Sequence, residues 1–186
     1  MNSDQATAAV IDALNALGVP YMLVGSLSSS LHGIPRSTRD ADFVVELSQG
    51  QISSLMARLG PQFRLDPQVS FETVTGTTLY ILAPLDSPYR IELFCLSDDP
   101  FDQERFARRQ TCPLLGRQAF VSTPEDVIIV KLRWANELNR SRDLEDARGV
   151  IAVQADRLDW EYIDRWCRLH GTREVLERLR DTMPPP

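Results

Sequence analysis

GSLSSSLHGIPRSTRDADF, running from Gly25 to Phe43, decides how the rest of the chain is read. It leaves an apolar run, YMLVG, through a Gly-Ser pair. It then passes a short polar segment and a loop, and sets two carboxylates, Asp40 and Asp42, one residue apart in an apolar setting. Glycine lets the backbone approach a ligand closely, and the N–H groups opening a helix after Ser26 form an anion site. The Ser26 hydroxyl can add a hydrogen bond to a terminal phosphate, and it can also serve as the helix N-cap. On a strand, Asp40 and Asp42 leave one face roughly 7 Å apart at the backbone. Two carboxylates so close repel unless a cation neutralises them. Such hard oxygen donors suit Mg²⁺, which takes one or two carboxylates and completes its shell with water and phosphate.

Working outward, residues 4–17 repeat Ala6, Ala9, Val10, Ala13, Leu14 and Leu17 at helical spacing and stop at Gly18. YMLVG reads as a buried strand, SLSSSLHG as a short helix ending at Gly33, and IPRSTR as a loop, because Pro35 disfavours helix at Ile34. DADFVVEL is a second strand, with Asp40, Asp42 and Val44 on one side and Ala41, Phe43 and Val45 on the other. QGQISSLMARLG is an amphipathic helix ending at Gly60. FETVTGTTLYILA suggests two strands or a hairpin around Gly76. YRIELFCL is another strand, with Arg90, Glu92 and Phe94 on one side. FDQERFARRQ reads as a short helix and RQAFVS as a short strand. Thr123, Pro124 and Asp126 then open a helix over VIIVKLRWANEL as N-cap, first and third residues. SRDLEDARGVIAVQ, DWEYIDRWCRLHG and TREVLERLRDTM complete a helical C-terminal part. The expected fold is α/β (α+β): a mixed sheet flanked by helices, residues 1–122, then C-terminal helices, 123–183, and a tail, 184–186.

The 186 residues, 43% hydrophobic and 25% charged, fit one soluble domain, or one domain with a helical appendage. A formal net charge of −6 argues against a broad basic face for unspecific nucleic-acid binding but leaves room for a local basic pocket. Cys95, Cys112 and Cys167 are scattered and odd in number, which fits buried thiols of a reducing compartment. MNSDQATAAV lacks a basic segment followed by an apolar run, and no stretch approaches the ~20 apolar residues of a membrane span. A cytoplasmic protein without membrane contact is expected.

Glu92 stands alone within the apolar RIELF. If that strand neighbours Asp40 and Asp42, three acids converge. That is the arrangement for phosphoryl or nucleotidyl transfer, with two metals about 3.5–4 Å apart clamping attacking and leaving oxygens.

The order of these pieces, an apolar strand, Gly-Ser, a short helix, an Asp-x-Asp strand and a later lone acid, resembles the DNA polymerase β-like nucleotidyltransferase superfamily. HGIPRSTRDADF, followed by KLRWANELNRSRDLEDA, is similar to the small AbiEii-type toxin nucleotidyltransferases; the resemblance covers roughly residues 20–150. It implies the nucleotidyltransferase fold and transfer of a nucleoside monophosphate from an NTP to an acceptor hydroxyl, with pyrophosphate released. By position, Gly25 and Ser26 would bind the triphosphate, and Asp40 and Asp42 would bind Mg²⁺, as a pair of ions. Glu92 would be the third acid, taking a metal or the acceptor's proton. Lys131 matches a phosphate-binding lysine, and Asp143 or Asp146 a further acid. The implied partners are an NTP, an acceptor RNA such as tRNA or a protein, and an antitoxin protein.

Other readings stand beside these. Glu92 can pair with Arg90. Lys131, in VIIVKLRWA, can be a snorkelling surface lysine. Arg36 and Arg39 flank the loop before the acids, where one neutralises them and the other contacts triphosphate or acceptor. Arg140, Arg142 and Asp143 read most simply as a solvated ion-pair turn, and His32 as a packed helix-end residue. Trp134, Trp160 and Trp166 are expected in helix packing. The function alternatives are a nucleotidyltransferase acting on a small hydroxylated molecule, as in antibiotic modification, and a non-catalytic nucleotide-binding protein.

Overall fold

Asn2 opens the first helix: its side chain accepts from the Gln5 N–H at 2.8 Å, while the Gln5 side chain accepts from the Asn2 N–H at 3.0 Å. Gly18, at φ 62°, closes it in the left-handed conformation. The computed structural model describes residues 1–72, 76–138 and 140–183. The elements in chain order are α1 (Ser3–Leu17), β1 (Tyr21–Val24), α2 (Gly25–His32), β2 (Asp40–Val45), α3 (Gln49–Leu59) and β3 (Phe63–Leu65). Then come β4 (Ser70–Glu72), β5 (Thr77–Pro84), β6 (Arg90–Cys95), α4 (Pro100–Arg108), β7 (Gln110–Leu114) and β8 (Arg117–Val121). The chain continues through α5 (Pro124–Leu138), α6 (Ser141–Gln154), a short 3₁₀ turn (Ala155–Arg157), α7 (Trp160–Leu169) and α8 (Arg173–Asp181). It divides into two units, Met1–Gly25 with Ser37–Val121, and Ser26–Arg36 with the residues from Ser122 onward.

The first unit is built on a mixed sheet of eight strands among the described residues, ordered β3-β5-β6-β2-β1-β8-β7, with β4 on β5. β2 runs parallel to β6 and antiparallel to β1. The alternation in DADFVV is realised: Ala41, Phe43 and Val45 are fully buried, while Asp40 and Asp42 on the other face are half-buried. Further along that second face Val44 packs with Met22, Val24, Phe94, Leu96 and Phe106 of α4. One end of the face is thus apolar and covered, and the other carries the acids. α4 is capped by Asp99, whose carboxylate accepts from the N–H of Phe101 at 2.9 Å, with Pro100 at the first helical position.

β4 and β5 pair antiparallel with Glu72 opposite Thr77, as FETVTGTTLYILA suggests. The connecting Thr73–Thr75 lie outside the described residues, as does the tail at 184–186. Two strands escape the sequence reading. β3 is three residues long, too short for a periodicity, and β7 contains Pro113, which only an edge strand tolerates well. β7 is such an edge.

In the second unit α5 packs on α6, α7 and α8, and its Val127, Ile128, Ile129 and Leu132 are buried. Thr123 accepts from the Asp126 N–H at 3.3 Å and donates to the Asp126 carboxylate at 2.7 Å, whose other oxygen accepts from the Tyr162 hydroxyl at 2.7 Å. Gly33 ends α2 so close to α6 that a Cβ there would lie 2.7 Å from the Val150 nitrogen. His32 donates Nε2–H to the Ser122 carbonyl at 2.7 Å, the packed helix-end role expected of it. Trp166 is buried on α7, Trp160 is overlain by Arg180 and Trp134 by Arg140. Of the cysteines only Cys167 is fully buried, whereas Cys95 and Cys112 are half-buried. Among the described residues no helix is long and apolar enough to cross a membrane.

Candidate active site

In the first unit Asp42 lies opposite Glu92 on the parallel strand β6, and Asp40 lies opposite Arg90. Register partners point to the same face, so Asp40, Asp42, Glu92 and Arg90 share one side of the sheet. On β1 the partner of Asp42 is Val24, and Gly25 follows it with φ 63°, a conformation that suits glycine. A Cβ at Gly25 would sit 1.8 Å from Asp42 Oδ2. Glycine is therefore required twice, by its dihedral and by the carboxylate lying against its backbone. The Asp40 carboxylate accepts from the Thr38 hydroxyl, and the Asp40 carbonyl accepts from the Tyr89 hydroxyl at 3.2 Å. Burial pushes the Tyr89 phenol up, so it remains a neutral donor.

The neighbouring of the two strands holds, and it sets Asp40, Asp42 and Glu92 on one face. Among the described residues no three His, Cys, Asp or Glu side chains form a group that could hold a metal ion. Only Glu92 faces Asp42 directly, while Asp40 is one pleat repeat away, opposite Arg90 and tied to Thr38. By donor chemistry the Asp40–Asp42 pair on one face still fits Mg²⁺, which needs no more than two carboxylates when phosphate and water supply the rest. Arg39 is exposed, and its carbonyl accepts the Arg90 N–H at 3.1 Å.

The remaining sequence-derived candidates fall in the second unit. Lys131 is only 3% exposed, which corrects the reading of a snorkelling surface lysine. Its Nζ lies 2.7 Å from Asp143 Oδ1 and 2.8 Å from Asp146 Oδ2. Arg36 forks onto the same Asp146 carboxylate through Nε at 2.6 Å and a terminal nitrogen at 2.8 Å, and that terminal nitrogen also donates to Ser26 Oγ at 2.7 Å. Asp143 and Asp146 are both buried, so Asp143 is not part of a solvated turn. Its Oδ2 is buried without a hydrogen-bond partner among the described residues. Burial alone would raise the Asp146 carboxyl, but hydrogen bonds and positive charge from Arg36 and Lys131 outweigh it and hold the group below its ordinary 3.8.

The chain Lys131–Asp146–Arg36–Ser26 was not foreseen as a unit. Its signal was present in DLEDA, where two aspartates i, i+3 share a helix face, together with a lysine in an apolar helix. The consequence for Ser26 is chemical. A guanidinium can only donate, so Ser26 Oγ accepts from Arg36 and its own O–H remains available as a donor.

No family model matches the chain, and no curated protein does. Solved structures do. ANT(2'')-Ia, an antibiotic-resistance factor, matches in its solution structure with TM-score 0.63 and 16% identity, over 98% of this chain and 100% of that one. Its crystal structure with adenylyl-2''-tobramycin matches with TM-score 0.61 and 15% identity, over 94% and 99%. The fold is the nucleotidyltransferase fold. An antigenic nucleotidyltransferase-like protein from Paracoccidioides brasiliensis shares it with TM-score 0.54 and 15% identity, over 96% and 92%. At these identities the likeness concerns the fold alone.

Proposed function

We propose that this chain is a nucleotidyltransferase, moving a nucleoside monophosphate from an NTP to an acceptor hydroxyl. The observation that carries the reading is the acid row of the first unit: Asp42 opposite Glu92, Asp40 on the same face, and the Asp42 carboxylate against the Gly25 backbone. In the reaction the acceptor oxygen bonds to the α-phosphorus and the bond to the α–β bridging oxygen breaks. Pyrophosphate leaves with the electron pair. Glu92 is the candidate to take the acceptor proton, because it has a place on the row separate from the Asp pair. Mg²⁺, held by Asp40 and Asp42, would supply charge neutralisation on the phosphate oxygens. The Gly25 backbone and the Ser26 hydroxyl are the candidate triphosphate ligands. Lys131 fixes Asp146, which in turn holds Arg36 on Ser26.

The segments HGIPRSTRDADF and KLRWANELNRSRDLEDA support a toxin of the AbiEii type acting on RNA, such as tRNA, or on a protein, with an antitoxin partner. The test is pyrophosphate release with each NTP and Mg²⁺ in the presence of total RNA, tobramycin or cell lysate. Release is expected with at least one pairing, and Asp42→Asn should reduce it by at least about 10²-fold. Folded wild-type protein that releases pyrophosphate with no NTP and no acceptor would overturn the proposal. Calorimetric NTP binding without turnover would instead support a non-catalytic nucleotide-binding protein.

A further inference from the structure

Resting on the transferase reading, we infer that the acceptor is a phosphate-bearing RNA strand, gripped by Arg64 and Arg90 in a cavity on the flank of the acid row opposite Gly25.

The register carries the placement. Across the face of the sheet one row reads Val24 on β1, Asp42 on β2, Glu92 on β6 and Ile81 on β5. Ala83 shares the Ile81 face, and its partner on β3 is Arg64. Gly25, at the end of β1, therefore bounds the acids on one side, while Arg64 and Arg90 stand on the same face toward the β5–β3 side. Attacking and leaving oxygens occupy opposite sides of a phosphorus in an in-line displacement. With the glycine cradle holding the leaving pyrophosphate, the attacking hydroxyl arrives from the β5–β3 side.

What it meets there is a cavity of about 210 Å³ lined by Arg64, Asp66, Pro67, Ile81, Ala83 and Arg90. Both arginines are exposed, and neither guanidinium has a hydrogen-bond or ion-pair partner among the described residues. Asp66 is the single carboxylate of the lining, and it accepts the Gln68 N–H at 2.9 Å. Two guanidiniums against one carboxylate favour an anion, and the planar donor fork suits phosphate. Ile81, Ala83 and Pro67 give an apolar wall against which a ribose or base can lie. A polycationic acceptor such as an aminoglycoside would meet like charge here. The net charge of −6 for the whole chain confines attraction for RNA to this local patch.

The experiment measures anisotropy of a fluorescent, mixed-sequence single-stranded oligoribonucleotide against wild type, Arg64→Glu/Arg90→Glu and the charge-keeping Arg64→Lys/Arg90→Lys. Calorimetry with NTP and Mg²⁺ runs on the same proteins, and labelled-NTP transfer is read to RNA and to tobramycin. The charge-reversal variant should weaken RNA binding at least about tenfold and flatten its log-salt slope by about 1.4, the release of two contacts at roughly 0.7 each. The lysine variant, which keeps the charge beside Asp40, should keep most of the RNA binding and leave NTP affinity unchanged. RNA binding that is absent, or indifferent to charge reversal, overturns the inference. So does a lysine variant whose NTP affinity falls in step with its RNA binding, or transfer to tobramycin in preference to RNA. Absence of transfer to any acceptor, with RNA binding and its arginine dependence intact, counts against the transferase reading and leaves the RNA grip supported.

Discussion

A methyl group at residue 25 would compete for space with a carboxylate oxygen. Gly25→Ala would place Cβ 1.8 Å from Asp42 Oδ2 while holding alanine at φ 63°. The left-handed backbone costs about 1–2 kcal/mol, which in a chain of this size is a fall in melting temperature of roughly 2–8 °C. The larger effect is expected on turnover, because Asp42 must leave its place in the acid row. The expected outcome is a folded protein with transfer lowered by at least about 10²-fold. A variant that melts a few degrees lower yet transfers at the wild-type rate would show that the Asp42 position is immaterial to the chemistry. The Gly-Ser pair was legible in the sequence as the turn that leaves the first strand. The reason the first residue must be glycine, a carboxylate arriving from β2, was not, because it depends on strand pairing.

At the scale of the elements, α5 and α6 are joined by an ion-paired cluster under an apolar interface. Lys131→Met would leave Asp143 and Asp146 buried with less compensation, at a cost of about 3–5 kcal/mol. Denaturant unfolding checks this, and adding Asp143→Asn should recover part of the loss, since it removes the carboxylate whose one partner among the described residues is Lys131. A lysine binding phosphate directly would behave otherwise: Lys131→Met would raise the KM for NTP and leave stability near wild type. The helices themselves were legible. Gly18, and Thr123 with Pro124, mark ends that depend on neighbours in sequence, and the structure realises both. β3 and β7 were not legible, because three residues beside β5 and a proline-bearing edge strand gain their identity from the strand next to them. The pairing of Lys131 with α6 was hidden for the same reason: helix periodicity tells which face is buried, not which charge lies across from it.

Over the whole molecule, the buried titrating groups set the response to acid. Burial pushes the His32 imidazole below its ordinary 6.5, against its hydrogen bond to Ser122 and the charge of Glu125. A depressed folded value means that the unfolded chain takes the proton first, so stability is present above pH 6.5 and is lost as pH falls below it. Asp146, held below 3.8, contributes stability that is present above that value and is lost as pH falls through its folded value. Denaturant unfolding across pH should show two declines, a first that His32→Gln flattens and a second that Asp146→Asn flattens. A stability profile flat between pH 7 and pH 3 would contradict both assignments. The sequence by itself determined the helices with their caps, the alternation of β2 and β6, and the presence of a Gly-Ser turn with three acids, because these follow from interactions within a few residues. Only the tertiary structure decided which acid faces which, that Asp42 rests on Gly25, and that Lys131 is enclosed by carboxylates. Register and helix packing join residues far apart in the chain, and no local periodicity encodes the partner.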